Sequence, residues 1–417
     1  MPKTNNFRII SLVFFITFID MLGIGIIIPI YPALITPSSR FSIIPMSWSI
    51  TDGFIFIGWL SSLFSIGQLI FAPVLGQLAD KYGRKPVMIF SVIGTTISFI
   101  CFGFGLSIKF LSLLIFARFF AGATSGNLSV VYAIIADVSS PNSRAKNFGL
   151  VGMAFGLGFI LGPFLGGALS SSNFISWANA ATPFYFVALL SFINIFLIIF
   201  YLPETIQVKI KQRITLMKPL NNIIKAFKLE GLRDISPAVF LYNAGFASFT
   251  TFFGIILINE FSFTSVQVGN YFAYMGIMIV LSQGLVVRRL SGKVKDYNVL
   301  RFCYIGCGLC LICYTLIPVN HSYLIYFIPP FLATMQGMIM AFTSSIVTRV
   351  TPIEIRAEIM GITTSIRALA MTVPGVLSGY LAVIHQEFPI LIGGICILVA
   401  ALIFWLLFKP QRFIDNI

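Results

Sequence analysis

Charge is what this sequence has least of. Only 10% of its 417 residues are Asp, Glu, Lys or Arg, against roughly 25% in an average soluble domain. So few charges cannot clothe a surface that meets water, and with 58% of residues hydrophobic most of that surface must face lipid. Acids are scarcer than bases, 13 to 27, and histidine occurs only as His321 and His385. No H-E-x-x-H or G-x-S-x-G pattern occurs, and no two carboxylates share an apolar run. An enzyme is therefore not expected, and neither is a cofactor or a metal. Cysteine is sparse as well, and four of the six fall at Cys303, Cys307, Cys310 and Cys313. Cluster ligands need a loop that wraps the metal. These four lie along an apolar helical run, where small side chains serve packing, so no disulfide framework is expected either.

What is present is a succession of long apolar runs. At about 20 residues per crossing, they read as twelve spans, near 8–35, 54–79, 87–107, 110–136, 147–170, 182–202, 236–259, 266–287, 299–318, 322–347, 357–384 and 388–408. The first run is too long for the core of a signal peptide, and no small-residue cleavage site follows it. The formal net charge of +14 excludes nothing by itself, but its distribution does. With both termini placed in the cytoplasm, 23 of the 27 bases fall in cytoplasmic segments and two outside, Arg40 and Lys109. Arg118 and Arg367 lie inside spans. That asymmetry is the positive-inside pattern rather than a nucleic-acid-binding face, and a missed span in the middle would destroy it.

The expected architecture is an all-α polytopic membrane protein of two pseudo-symmetric six-helix bundles around a central cavity. The bundles are residues 1–202 and 236–417, with a basic linker over 203–235 that carries Lys209, Lys211, Arg213, Lys218, Lys225, Lys228 and Arg233. Part of the linker, around 220–229, has the pattern of an amphipathic helix on an anionic leaflet. The halves are weakly related. Pro141, Arg144, Ala145 and Gly149 recur as Pro352, Arg356, Ala357 and Gly361, and Pro163 recurs as Pro374. Parallel internal repeats of this kind suit a two-bundle transporter.

Three motifs carry the chemistry. The first is Gly76-Gln77-Leu78-Ala79-Asp80-Lys81-Tyr82-Gly83-Arg84-Lys85, read as a tight turn between spans two and three with Asp80 at a helix end. The second is Gly158-x-x-x-Gly162-Pro163-x-x-Gly166-Gly167 in span five, small residues at a spacing that permits close helix approach around a bend. The third is Arg118, in Ala117-Arg118-Phe119-Phe120-Ala121-Gly122, deep in span four. An arginine there costs about 2.5–3.5 kcal/mol on insertion scales, so it needs a partner or a wet cavity. The best partner available is Asp20, the only acid well inside a span. Asp20 is then the expected proton site, its affinity set by burial against the field of Arg118. Arg367 in span eleven either faces the cavity and binds an anionic group of a substrate, or snorkels or pairs with a backbone carbonyl. Gln68, Asn127, Asn243 and Gln336 are further candidates for the cavity lining.

The first motif matches G-x-L-A-D-[RK]-x-G-R-[KR] at every key position, and on it the chain resembles the major facilitator superfamily. The resemblance implies that Gly76, Asp80, Gly83, Arg84 and Lys85, with Asp137 and Arg144, form a latch on the cytoplasmic side. The second motif resembles the antiporter motif of that superfamily's exporters, which implies export. The third resembles its R-x-x-x-G motif near the proton pathway. Ile19-Asp20-Met21-Leu22-Gly23-Ile24-Gly25, with Pro29 and Pro32, and Ile135-Ala136-Asp137 bring the resemblance to the twelve-span drug:proton antiporters, and within them to the tetracycline-resistance branch. Two departures separate the chain from that branch. Cys303–Cys313 stand where its pumps carry an acid in span nine, and Arg367 is not a feature of the branch. The expected activity is proton-coupled antiport of a drug or native metabolite, anionic cargo included, out of a bacterial cytoplasm by a monomer in the inner membrane. The partners are the substrate, protons and the bilayer, with no nucleic acid. The alternative is a proton symporter that takes up a nutrient.

Overall fold

The computed structural model describes residues 3–36, 42–45, 47–139, 141–171, 176–206, 214–215, 217–229, 232–290, 293–349 and 356–409. Arg40, Lys209, Lys211, Arg213 and Pro352 lie outside them. Every regular element among the described residues is helical: α1 (Lys3–Ile26), α2 (Ile30–Ile35), α3 (Ile50–Tyr82), α4 (Arg84–Ser107), α5 (Leu111–Thr124), α6 (Leu128–Val138), α7 (Pro141–Ser170), α8 (Thr182–Tyr201), α9 (Lys218–Lys228), α10 (Leu232–Asn259), α11 (Ser265–Leu281), α12 (Arg288–Leu290), α13 (Asp296–Thr315), α14 (Ile328–Arg349), α15 (Arg356–Ile384) and α16 (Phe388–Leu407). Eleven helical runs among these residues are long and apolar enough to cross a membrane. α7 is a further long helix, with a described apolar stretch over Gly156–Ser170. These runs correspond to the twelve spans expected, with shifted ends.

Helices are the form that satisfies every backbone polar group without water. Their amphipathicity is turned outward. On α8, Phe192, Phe196 and Phe200 recur every fourth residue and are exposed, while Ser191, Asn194 and Ile198 on the other face are buried. In water such a stripe would drive aggregation; in a bilayer it meets hydrocarbon. Three ends differ from the sequence reading. The helix of span two runs on through Gly76–Tyr82, so the presumed loop is mostly helix and the turn falls at Gly83 alone. Span ten starts as a 3-10 turn, Val319–Phe327, because Pro329 and Pro330 at the head of α14 have no N–H to give. Span one breaks after Ile26, where Pro29 interrupts the ladder and α2 restarts at Ile30.

The chain divides into two compact units. Unit 1 comprises Met1–Pro45 and Leu63–Pro219, and unit 2 comprises Met46–Ser62 and Leu220–Ile417. In unit 1, α1 packs along α7 and α4 along α8. The core of its lower end gathers Ile9, Val13, Ile16, Met88, Val131, Ile134 and Ile198. In unit 2, α16 packs against α10 and α13, α13 also against α14, and α10 against α15. The first turns of α3 belong to this unit. There Gly58 meets the backbone of Gly375 and Gly379 on α15, and Ser62 Oγ donates to the Thr372 carbonyl at 2.7 Å.

Candidate functional site

The chemistry of unit 1 is built around Asp20 on α1. Its carboxylate is 5% exposed. Its hydrogen-bond donor is Asn127, whose Nδ2 lies 2.8 Å from Asp20 Oδ2. Asn127 sits there because the helix of span four is not continuous. It tightens to a 3-10 turn over Ser125–Asn127 between α5 and α6, an irregularity that often marks a functional hinge. Gly122 and Gly126 let α3 come close on either side of the turn, because a Cβ at either would strike the α3 backbone at Phe64 or Ala72.

Arg118, on α5, is buried with its guanidinium 4.7 Å above the Phe64 ring. The sequence reading paired it with Asp20. The structure instead gives Asp20 the neutral Asn127, and Arg118 lies in electrostatic range of the buried Tyr31 on α2. Both ionisable groups line one small cavity, with Gly23, Phe64, Thr95, Phe99 and Ser125 among its walls. A carboxylate held by an amide, rather than locked in an ion pair, can exchange a proton without leaving a buried charge alone. Asn127, expected on a cavity wall as a substrate ligand, is thus committed to Asp20 and 1% exposed.

The glycines of span five lie against Asp20's own helix. A Cβ at Gly158 would meet Leu22 N at 2.8 Å, one at Gly162 would meet the Gly25 Cα at 2.8 Å, and one at Gly166 would strike Ile26. Pro163 touches the same seam, its Cδ lying 2.9 Å from a Cβ placed on Gly25. Gly167 is buried behind them and accepts from Ser170 Oγ at 3.0 Å. Small residues therefore bring two backbones together over Met21–Ile26, directly after the carboxylate.

At the far end of α3, Arg84 binds Asp80 (Nη1–Oδ1 2.6 Å) and Asp137 (Nε–Oδ2 3.2 Å). Arg84 is buried, while Asp80 and Asp137 keep 25% and 26% of their side chains open to solvent. Gly83 makes the turn at φ 120°, open to glycine at little cost. Gly76 abuts Ser129 on α6, and Lys85 Nζ donates to the Ile199 carbonyl at 2.7 Å. Arg144 lies on α7, but its side chain is outside the described residues. Two residues here escaped the sequence reading. Glu204 accepts from the backbone N–H of Arg84 at 2.8 Å and of Lys85 at 3.3 Å, an acid from elsewhere in the chain capping α4. Gln77, inside the motif, both accepts from Thr215 N and donates to Thr215 O at 3.0 Å, tying down the start of the linker. Glu204→Ala should cost about 1 kcal/mol, the usual worth of an N-cap. Thermal unfolding in detergent measures it, and an unchanged midpoint would show that water caps α4 equally well.

A family model described as the Major Facilitator Superfamily matches residues 13–373. The chain belongs to the major facilitator superfamily. Among its relatives, the class H tetracycline resistance protein of Pasteurella multocida is 28% identical over 286 residues, covering 68% of this chain and 67% of the relative. The class E tetracycline resistance protein of Escherichia coli is 27% identical over 421 residues, with 98% and 97% covered. The crystal structure of the human organic anion transporter MFSD10 superposes with a TM-score of 0.73 at 22% identity, covering 97% of this chain and all of that one. The superfamily assignment makes this protein a transporter and not an enzyme, as the lack of nucleophile and metal motifs had implied.

In the second unit of this facilitator the expected residues are dispersed. Arg367 is half-buried on α15, and its Nε is buried without a hydrogen-bond partner. Gln336 on α14 has an unpartnered buried Oε1. Asn243 Nδ2 bonds back to the Val239 carbonyl of its own helix at 2.7 Å, so it is spent on α10 itself. Gln68, on the unit 1 part of α3, is half-buried. Of the four clustered cysteines, Cys303 and Cys307 are buried in packing while Cys313 is exposed.

One acid pair stands at the end of α10. Glu260 lies within hydrogen-bonding reach of Glu387, with His385 beside them. Burial first, and then the neighbouring Glu387 charge, raise the pKa of Glu260 above the ordinary glutamate range, and His385 partly opposes them. The folded chain therefore binds more protons here than the unfolded chain, and stability falls as pH rises through the interval above that ordinary range. Amide exchange at this end of α10 should be slower in wild type than in Glu260→Gln at acid pH, with the gap closing or reversing toward pH 8. A gap that does not change with pH would show that Glu260 does not titrate in that interval.

Proposed function

We propose that this protein is a proton-coupled antiporter that exports a small molecule, anionic cargo included, from a bacterial cytoplasm by alternating access. Asp20 carries the proton. The observation behind this is a buried carboxylate that is held by a neutral amide and faces a cavity shared with Arg118. An ionisable group in a span is expensive, and its retention points to a proton or substrate path. In the protonated state the group is neutral and at home in the cavity. When it is deprotonated, Arg118 supplies the compensating field. The Arg84–Asp80–Asp137 cluster, with Gly76, Gly83, Lys85 and Arg144, acts as the cytoplasmic latch, and the α1–α7 glycine seam couples motion of α7 to Asp20. Residues 1–202 and 236–417 act as the two moving bundles, joined by the linker over 203–235. The protein works as a monomer in the inner membrane, with both termini in the cytoplasm. Its similarity to tetracycline resistance proteins and to an organic anion transporter favours efflux and leaves room for an anionic cargo.

Everted membrane vesicles test this. With an acid interior, tetracycline or 1-naphthoate added outside should collapse part of the pH gradient, as read by a quenched amine dye, and should accumulate inside. Accumulation that survives a protonophore would refute proton coupling. Entry of the same compounds into intact cells driven by the gradient would refute export.

A further inference from the structure

Unit 2 carries a buried guanidinium nitrogen that lacks an acceptor among the described residues. Arg367 lies on α15 within the apolar stretch Ile362–Ile384, five residues from its start, about 7.5 Å along the helix. Its Nε is buried and has no hydrogen-bond partner, and no ion pair is formed by it among the described residues. Four of the described acids of this unit are engaged elsewhere. Asp296 accepts from Ser345 Oγ at 2.6 Å, Asp234 stands 3.5 Å from Arg233, and Glu260 and Glu387 sit beyond the ends of their spans. Arg367 is in electrostatic range of Tyr242 on α10, whose ring is 5.5 Å from that of Tyr304 on α13. Tyr304 is fully buried, and its hydroxyl faces that of Thr343 on α14. Four helices thus supply a guanidinium and three hydroxyls around one place, and Phe246 stacks on Tyr242 with centroids 6.0 Å apart.

A buried donor without an acceptor is costly, and a native fold keeps it when something else supplies the acceptor. A planar guanidinium flanked by hydroxyls matches a carboxylate, which accepts two parallel bonds from it. The aromatic wall suits a flat apolar body. We infer that Arg367, Tyr242, Tyr304 and Thr343 form a recognition site for small aromatic carboxylates. The site deepens the transport reading by naming its cargo class, and binding to it needs no proton coupling.

The test is isothermal titration of the purified full chain in detergent with 1-naphthoate, the neutral 1-naphthamide and inorganic phosphate. 1-Naphthoate should bind about 10- to 100-fold more tightly than 1-naphthamide, the range for hydrogen bonds to a charged group. Phosphate should bind weakly, for want of an aromatic body. Arg367→Gln should erase the preference for 1-naphthoate, Arg367→Lys should lose most of it because the fork is gone, and Tyr304→Phe should weaken binding several-fold. Gly156→Ala, where a Cβ meets nothing within 4 Å, should keep it. Equal binding of acid and amide by wild type overturns the site whether or not the Arg367 variants fold. So does full 1-naphthoate binding by a folded Arg367→Gln, and phosphate binding as tight as that of 1-naphthoate overturns the aromatic part. Loss of proton coupling in vesicles with 1-naphthoate binding intact would instead strike the transport reading alone.

Discussion

Asp20→Asn should leave the protein folded, able to exchange substrate across the membrane, and unable to drive it uphill. The substitution is nearly isosteric, and its carboxamide oxygen can still accept the Asn127 bond that holds the wild-type carboxylate at 2.8 Å. It fixes the neutral state of the site, so the burial cost of a charge disappears and stability should not fall. What is lost is the ability to give the proton up. One proton moving down 100 mV releases about 2.3 kcal/mol, enough to hold about a 40-fold concentration difference at 1.4 kcal/mol per tenfold. That difference should collapse to none in Asp20→Asn vesicles, while counterflow of preloaded labelled substrate persists within a few-fold of wild type. Asp20→Glu, which keeps the acid but presses a longer side chain against Phe99 and Phe64, should restore part of the gradient. An Asp20→Asn protein that accumulates substrate as well as wild type would remove Asp20 from the mechanism.

The same site shows where sequence reading reaches and where it stops. That Asp20 and Arg118 are exceptional follows from their cost in an apolar run, and no coordinates are needed to see it. Which group Asp20 would bond was not legible, because the choice depends on a 3-10 turn that swings Asn127 inward, and no residue within span four announces that turn as distinct from an ordinary helix. The charge asymmetry of the loops made the number of crossings legible. It could not show that the signature segment is helical up to Tyr82, because glycine in a membrane helix reads the same whether it turns the chain or lets a neighbour approach. Glu204 was out of reach for another reason. Its role in capping α4 depends on a contact across 120 residues, and the segment Pro203–Thr205 looks like any polar exit from a span. In unit 2 the lone charge of Arg367 was visible, but the tyrosines gathered near it were not, since aromatic residues are common throughout the chain and only their shared direction sets these two apart.

Gly162→Ala should be among the most damaging single-methyl changes in the chain, and Gly156→Ala, six residues earlier on the same helix, among the most benign. A Cβ on Gly162 would lie 2.8 Å from both the Gly25 Cα and the Leu22 carbonyl oxygen and 3.0 Å from the Gly25 carbonyl carbon. All three are backbone atoms, so no side chain can swing aside, and α1 and α7 must separate. Overpacking of this kind costs about 1–3 kcal/mol. The separation acts two residues from Asp20, so it also pulls the carboxylate away from Asn127, and the loss of coupled transport should exceed what the loss of folded protein explains. A Cβ on Gly156 meets nothing within 4 Å, and there alanine should help slightly, because glycine gives up about 0.8–1.0 kcal/mol of helix propensity to it. Unfolding midpoints of the two variants in detergent, with transport scaled to folded protein, decide the matter. If Gly162→Ala and Gly156→Ala shift the midpoint equally, the seam between α1 and α7 is looser than these distances allow, and coupling through it to Asp20 falls with them.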